Sequence, residues 1–177
     1  FPGEWEQIVT ALKDAHFFKL FVPVEYGGQK SSEQEIYLMM ELLGYASPGL
    51  GIIFVSHGRA IDLILSGTQR QKEEYLPKMV EGDFGAIAMT EEKAGSDASA
   101  VRLRAERAGH YYLFNGQKIF ISNSGLARHY AILANTKGVQ GARSLSVFIV
   151  ENDVPGLTIK GLPEKDGLKI LPTGQLF

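Results

Sequence analysis

The spacing of apolar residues changes once along this 177-residue chain, close to Phe84. Before that point they recur at the three- and four-residue intervals of an α-helix. After it they alternate every second residue, as on a strand with one buried face. Helices and strands that are segregated along a chain are typical of α+β folds. The sequence therefore predicts a helical N-terminal domain over residues 1–84 and a β domain over residues 85–177.

The helical half carries clear helix boundaries. Ser32 and Thr68 are each followed three residues later by Glu or Gln, the pattern of a capping box. Ser47-Pro48 offers an N-cap followed by a proline in the first helical turn. The segment that runs from Pro48 to about Ser66 is apolar on most sides, which predicts a helix buried in the core.

The second half is divided into short strands by turn residues. Val101, Leu103 and Ala105 alternate with charged residues, and Asn115-Gly116 is a strong signal for a short turn. Several short strands, separated by turns about every ten residues, favour an antiparallel barrel or sandwich. The predicted fold class is thus α+β, with an antiparallel β-barrel or sandwich as its second domain.

Composition argues against several classes of function. A net charge of −2, with no cluster of Lys and Arg, argues against nucleic-acid binding. There is no cysteine, and the four histidines are too scattered for a metal site, so we expect them at the surface or in caps. No apolar run approaches the roughly 20 residues of a membrane span, and no signal peptide opens the chain. The expected location is the cytoplasm.

The stretch from Met89 to Ser99 is the first candidate site. It is a polar loop that follows an apolar strand. Thr90 and Ser96 can donate to carbonyl or phosphate oxygens, Gly95 lets a ligand approach the backbone, and successive N–H groups can bind an anion. On composition alone, a structural turn whose side chains cap their own backbone is the more frequent explanation.

Phe120 and Ser122 are the second candidate. Two residues apart on a predicted strand, they project from one face, where a ring can cover a flat ligand and a hydroxyl can bond its edge. The alternative is a core Phe and a surface Ser. The adjacent Glu91 and Glu92 are a poor acid–base pair because strand neighbours point to opposite faces. Lys118 is expected to be a solvated charge.

In this order, the segments resemble the acyl-CoA dehydrogenase family. Residues 88–100 fit the family signature around Thr-Glu-x-x-x-Gly-Ser-Asp, and residues 115–123 fit its second block, with Phe and Ser where many members have Trp and Thr. Residues 24–28, 71–77 and 154–157 also match family segments. The resemblance covers essentially the whole chain and implies that both candidate segments are functional.

The resemblance implies FAD as the cofactor and a flavin site on the β domain. Thr90 is implied to hydrogen-bond the pyrimidine side of the flavin, Phe120 to lie beside the ring, and Ser122 to bond near N5. Gly95 and Ser96 are implied to contact the FAD pyrophosphate or the CoA-thioester side. The full set of implied cofactor-binding residues is Met89, Thr90, Gly95, Ser96, Phe120 and Ser122.

The family reaction is the α,β-dehydrogenation of an acyl-CoA thioester, in which a carboxylate removes the α-proton and the hydride passes to the flavin. The implied substrate contacts are Ser96, Leu50 and Phe54, and the bulk of Phe54 is expected to shorten the acyl pocket. Implied partners are acyl-CoA, an electron-transfer flavoprotein or similar acceptor, and further copies of the chain in a dimer or tetramer.

The resemblance stops before the C-terminal helical bundle that in most members carries the base. We therefore expect both domains to be incomplete, no catalytic residue in this chain, and uncovered apolar surface near Leu50–Leu65 and on the β domain. Two alternatives stay open: a non-catalytic flavin- or acyl-thioester-binding subunit, and an acyl-CoA oxidase-like flavoenzyme. In a eukaryote, the expected location is the mitochondrial matrix.

Overall fold

The computed structural model describes residues 2–163 and 165–177, so Phe1, the first residue of the expected helical domain, lies outside them. A helical region precedes a β region, as the periodicity predicts. The helices are α1 (Pro2–Asp14), α2 (Glu33–Ala46), α3 (Pro48–Leu65) and α4 (Gln69–Val80). The strands are β1 (Phe84–Ala88), β2 (Arg104–Ala108), β3 (Tyr111–Asn115), β4 (Lys118–Ser122), β5 (Ala127–Asn135), β6 (Leu145–Glu151), β7 (Ile159–Gly161) and β8 (Thr173–Leu176).

Both predicted capping boxes are formed. The Ser32 hydroxyl accepts a hydrogen bond from Glu35 N at 3.3 Å, and the Glu35 carboxylate accepts one from Ser32 N at 2.7 Å. Thr68 and Gln71 repeat the arrangement at 3.3 and 2.8 Å. Each box satisfies backbone donors that the first turn of a helix leaves without a partner. These reciprocal bonds explain why α2 and α4 begin where the sequence indicates.

Helix α3 is the central helix of the fold. It packs against α2 on one side and β1 on the other, and nine of its residues are buried. Its length and a mean hydropathy of 1.3 are those of a membrane span, which corrects the expectation that no segment approaches one. Half of that segment is buried inside the structure, as in the core helix of a folded domain.

An aromatic cluster fills the space between α3 and β1, with His57 at its centre. The His57 ring contacts the rings of Phe17, Phe18 and Phe84 at centroid distances of 5.8, 5.4 and 5.8 Å. Its Nδ1 accepts a hydrogen bond from Gly85 N at 3.1 Å. Nε2 must therefore carry the proton of the neutral ring, and it has no partner among the described residues.

The expected surface location of the histidines is wrong for two of them. His57 is completely buried, and His129 is buried with its Nε2 2.8 Å from Asp83 Oδ2. Neither position is signalled locally, because the groups that surround each ring come from distant parts of the chain.

The strands form two sheets, of which the first is mixed and the second is antiparallel. The first has the order β1-β5-β2-β3, with β6 also paired to β5, and the second has the order β4-β8-β7. β1 pairs in parallel with β5, and Arg104 of β2 pairs in parallel with Asn135 at the end of β5. The predicted antiparallel barrel or sandwich is therefore corrected to one mixed sheet and one antiparallel sheet. Turn signals identify hairpins between sequence neighbours, whereas parallel pairing needs a long crossover that leaves no local pattern.

The exposed apolar surface of the helical region lies on α2. No residue of α2 is buried, and four of its large apolar side chains are 60–95% exposed, namely Tyr37, Leu38, Leu42 and Tyr45. The expectation placed this surface near Leu50–Leu65. That segment is α3, which α2 and β1 cover, so the exposed face is one helix further out.

Acid should destabilise the fold through His57. Burial lowers the pKa of His57 to about 3, so between that pH and about 6.5 the unfolded chain binds a proton that the folded chain does not. Stability therefore falls as pH falls. Between pH 7 and 5, His57 alone should remove about 2 kcal/mol of the free energy of unfolding.

Urea unfolding of the wild type and of His57→Gln at pH 7 and pH 5 measures the contribution of His57 to the free energy of unfolding. The variant should lose about 2 kcal/mol less than the wild type over that range. His110→Gln, a change at an exposed histidine, serves as the control and should keep the wild-type difference. Equal pH dependence in the wild type and His57→Gln would contradict the assignment.

Candidate functional site

The structure brings the two candidate segments together. Met89 and Thr90 directly follow β1, and Phe120 and Ser122 lie on β4. Ile119 N donates a hydrogen bond to Thr90 O at 2.9 Å, so the end of β1 runs beside β4. Thr90 and Ser122 are half-buried, while Met89 and Phe120 are exposed. The two candidate segments are therefore neighbours in the fold, and together they contain two half-buried hydroxyl residues and one exposed ring.

The loop after Thr90 divides into a self-bonded part and an open part. Glu91 and Ala94 exchange backbone hydrogen bonds at 3.0 and 3.2 Å, and Asp97 Oδ1 accepts one from Ser99 N at 3.0 Å. Between them, Gly95 and Ser96 are exposed, and their N–H groups donate to no other described residue. The structural explanation thus holds for Asp97 and Ser99, while Gly95 and Ser96 present two free donors.

A buried ion pair joins the loop to β4. Lys118 Nζ lies 2.8 Å from Glu91 Oε1 and donates a second hydrogen bond to Met89 O at 2.9 Å. Lys118 is only 1% exposed, so the expectation of a solvated strand charge is wrong. A lysine at the start of a strand gives no local sign of burial, because its partner lies on another segment. The sequence therefore does not indicate that Lys118 and Glu91 form a buried ion pair in the site region.

Glu91 is fully engaged by hydrogen-bond donors. Besides Lys118, its carboxylate accepts hydrogen bonds from Arg102 N at 2.8 Å and Leu103 N at 2.9 Å. Burial opposes the charge of Glu91, but these donors outweigh it and hold the pKa of the carboxyl below its ordinary value. Burial also lowers the pKa of Lys118, against the attraction of Glu91. An ionised, buried and saturated carboxylate is poorly placed to accept a proton from a ligand.

Phe120 is held in an uncommon backbone conformation. Its φ is 56°, in the left-handed region, and the pairing of β4 with β8 shifts register between Lys118 and Ile121. Its side chain is 63% exposed. The bulge interrupts the strict alternation on which the same-face expectation for Phe120 and Ser122 rests. A strained backbone that displays an aromatic ring to the surface is typical of a binding site.

Asn123 fixes the end of β4 against the core. It is buried with a φ of 61°, and its Nδ2 donates to Ile53 O at 3.1 Å and to Gly85 O at 3.0 Å. These bonds tie β4 to α3 and to β1. No local pattern in the sequence indicates this role, because the two carbonyl groups belong to distant segments of the chain.

The two implied acyl-pocket residues have different environments. Leu50 is half-buried near the start of α3. Phe54 has no exposed surface, and its ring packs against Phe17 and Phe21 at centroid distances of 5.0 and 4.6 Å. Contact between Phe54 and an acyl chain would require this cluster to open, so its role in substrate binding stays a prediction.

A groove lies elsewhere on the described part of the chain. It has a volume of about 600 Å³ and is lined by residues of α4 and the segment before α2, among them Lys19, Tyr26, Gln69 and Glu73. None of the candidate residues contributes to it. The candidate site, at the junction of β1 and β4, is therefore separate from this groove.

Two family descriptions match the chain. "Acyl-CoA dehydrogenase, N-terminal domain" matches residues 1–83, and "Acyl-CoA dehydrogenase, middle domain" matches residues 86–177. Mitochondrial isovaleryl-CoA dehydrogenase of Pongo abelii is 36% identical over 160 residues, which are 88% of this chain and 38% of that protein.

Solved structures show the same likeness. A chain from a structure described as the electron transferring flavoprotein of Acidaminococcus fermentans has a TM-score of 0.91 and 33% identity, over 97% of this chain and 46% of that one. An acyl-CoA dehydrogenase of Bacillus anthracis complexed with FAD has a TM-score of 0.87 and 29% identity, over 97% of this chain and 30% of that one. This chain spans less than half the length of these three proteins.

Strain at Phe120 should be visible in stability. Glycine tolerates a positive φ and alanine does not, so Phe120→Gly should be more stable than Phe120→Ala by about 1 kcal/mol. Leu113, an exposed residue of β3 without a positive φ, is the matched control, and there alanine should be the more stable. Urea unfolding of the four variants tests the prediction, and the same order at both positions would contradict it.

Proposed function

The chain belongs to the acyl-CoA dehydrogenase family, and on that premise we propose that it binds FAD and supplies flavin contacts for the α,β-dehydrogenation of an acyl-CoA thioester. The observation that carries the proposal is the hydrogen bond of 2.9 Å between Ile119 N and Thr90 O. It brings Thr90, directly after β1, beside the strand that carries Phe120 and Ser122.

The residues of the two candidate segments suit the ring system of a flavin. An isoalloxazine ring has a flat apolar face and an edge of nitrogen and oxygen atoms. Phe120 and Met89 offer exposed apolar contacts for the face, and the hydroxyls of Thr90 and Ser122 can bond the edge. When bound, the flavin supplies the hydride chemistry. Thr90, Ser122 and Phe120 would hold and orient it.

The pyrophosphate of FAD is assigned to the loop. The N–H groups of Gly95 and Ser96 make no hydrogen bond with another described residue, and Gly95 has no atom within 4 Å of the position of a Cβ. A phosphate group can therefore approach the backbone closely. Ser96 is also proposed to contact the CoA thioester, with Leu50 and Phe54 as the proposed residues on the acyl side.

We assign no catalytic base to this chain. Glu91 is saturated by three donors, and Glu92 is exposed without a hydrogen bond to any described residue that would orient it. The base is proposed to come from a residue outside these 177. The same observation favours a second candidate, a subunit that binds flavin or an acyl thioester without catalysis.

Partners follow from the proposed reaction. The substrate is an acyl-CoA, and the proposed electron acceptor is an electron-transfer flavoprotein, supported by the likeness to the A. fermentans structure described under that name. Association into a dimer or tetramer is supported by the exposed apolar side chains of α2. The proposed location is the cytoplasm, or the mitochondrial matrix in a eukaryote.

FAD binding should depend on the two hydroxyls. Titration of the purified chain with FAD, followed by flavin fluorescence, should give saturable binding. Thr90→Val and Ser122→Ala should each raise the dissociation constant about fivefold to tenfold, since each removes one hydrogen bond. Thr10→Val, on the exposed face of α1, should leave it unchanged. No binding by the wild type, or equal binding by all variants, would overturn the site.

Proton abstraction is tested separately. The FAD-loaded chain, mixed with acyl-CoA under nitrogen, should keep the absorbance of oxidised flavin, because it lacks a base. Bleaching of the flavin by the chain alone would contradict the assignment of no base. If bleaching occurs, its loss in Glu92→Gln but not in Lys93→Gln would identify Glu92 as the missed group.

A further inference from the structure

We propose that Glu91 and Lys118 form a positioning pair that sets the spacing between the two halves of the flavin site, an inference that rests on the proposed function. Neither residue is assigned to contact the flavin. Their role is to hold Met89 and Thr90 in register with Phe120 and Ser122.

The need for such a pair comes from the sheet topology. β1 belongs to the first sheet and β4 to the second, so no ladder of strand pairing joins them. Three hydrogen bonds link residues 89–91 to residues 118–122 in the described chain. They are Ile119 N to Thr90 O at 2.9 Å, Lys118 Nζ to Met89 O at 2.9 Å, and Lys118 Nζ to Glu91 Oε1 at 2.8 Å. Two of the three are therefore donated by one group, the ammonium of Lys118.

Burial makes the two charges depend on each other. Lys118 is 1% exposed and Glu91 is 8% exposed. A buried charge that loses its partner is strongly destabilising, whereas replacement of both charges by neutral groups is often nearly neutral. The Lys118 side chain can remain in the interior, and hold Met89 O, only while Glu91 is ionised beside it.

The pair also reaches the phosphate side of the site. The Glu91 carboxylate accepts hydrogen bonds from Arg102 N and Leu103 N, which close the loop that carries Gly95 and Ser96. One carboxylate thus connects the end of β1, the base of the loop and, through Lys118, β4. Loss of the pair should loosen the ring contacts and the pyrophosphate contacts together.

The test compares Lys118→Met, Glu91→Gln and the double variant of the full chain. Two quantities are measured with added FAD: its dissociation constant and the visible circular dichroism of the bound flavin, which reports how the ring is held. Each variant is kept below its melting temperature. Each single variant should bind FAD at least about tenfold more weakly and show a flavin spectrum closer to that of free FAD.

The double variant separates positioning from stability. With neither charge left unpaired, it should regain much of the melting temperature that a single variant loses, and still bind FAD weakly. If Lys118→Met does not fold, the same two quantities are measured on the double variant and on Lys118→Arg. The arginine keeps the positive charge in a longer side chain.

Asp83→Asn is the matched control. It weakens the 2.8 Å interaction between Asp83 and the buried His129. Asp83 directly precedes β1, so this contact lies at the end of the strand opposite to Met89 and Thr90. This variant should lower the melting temperature and keep the FAD dissociation constant within about twofold of wild type.

The outcomes distinguish the two proposals. Wild-type FAD affinity and spectrum in the pair variants would overturn the positioning role and leave the flavin site standing. A flavin defect that the double variant repairs together with its melting temperature would make the pair structural and would also overturn it. A wild-type chain that binds no FAD would overturn the proposed function, and the positioning role with it.

Discussion

The structure depends on how the open edge of β1 is satisfied. β1 pairs with β5 on one side only, and an unpaired strand edge leaves backbone donors and acceptors without partners. Here side chains take the place of a neighbouring strand. Gly85 N donates to His57 Nδ1, Gly85 O accepts from Asn123, and Met89 O accepts from Lys118. The edge is therefore buried by polar side chains of α3 and of β4 and its following turn, and each of these contacts also fixes an element of the candidate site.

Close packing on the same strand makes the helical and β regions interdependent. A Cβ added at Gly85 would lie 2.6 Å from the Cβ of Ala60 in α3 and 2.6 Å from the Cε of Met79 in α4. Such distances are too short for any larger residue, so the helices rest directly on the backbone of β1. The packing of β1 against the core therefore also fixes the position of Met89 and Thr90, which follow it. The candidate site is exposed, but the strand that leads into it is among the most tightly packed parts of the chain.

The sequence predicts this structure well where a signal is local. Capping boxes and the proline at the start of α3 depend on residues within a few positions of one another, so the sequence predicts them. The strands on either side of Asn115-Gly116 lie in different sheets, so this turn signal does not form a hairpin. The parallel pairing of β1 with β5 and the burial of Lys118 depend on contacts between distant segments. A lysine is buried only where a carboxylate meets it, and Glu91 lies 27 positions away. Local chemistry alone favoured structural explanations for both site segments, and only the resemblance to a family pointed to a flavin.

Several residues around the candidate site adopt conformations or environments that their residue types usually avoid. Phe120 adopts a left-handed conformation on a bulged strand, Lys118 is buried, and Glu91 gives up its solvent contacts to neutralise it. Each is unfavourable alone and persists because the surrounding contacts enforce it. Taken together, they place an aromatic ring and two hydroxyl residues in neighbouring segments that no ladder of strand pairing joins. The loop that begins at Glu91 is therefore better understood as a segment that positions its neighbours than as one that transfers protons. The buried Glu91 carboxylate accepts hydrogen bonds from three donors, and this leaves it unsuited to accept a proton from a substrate.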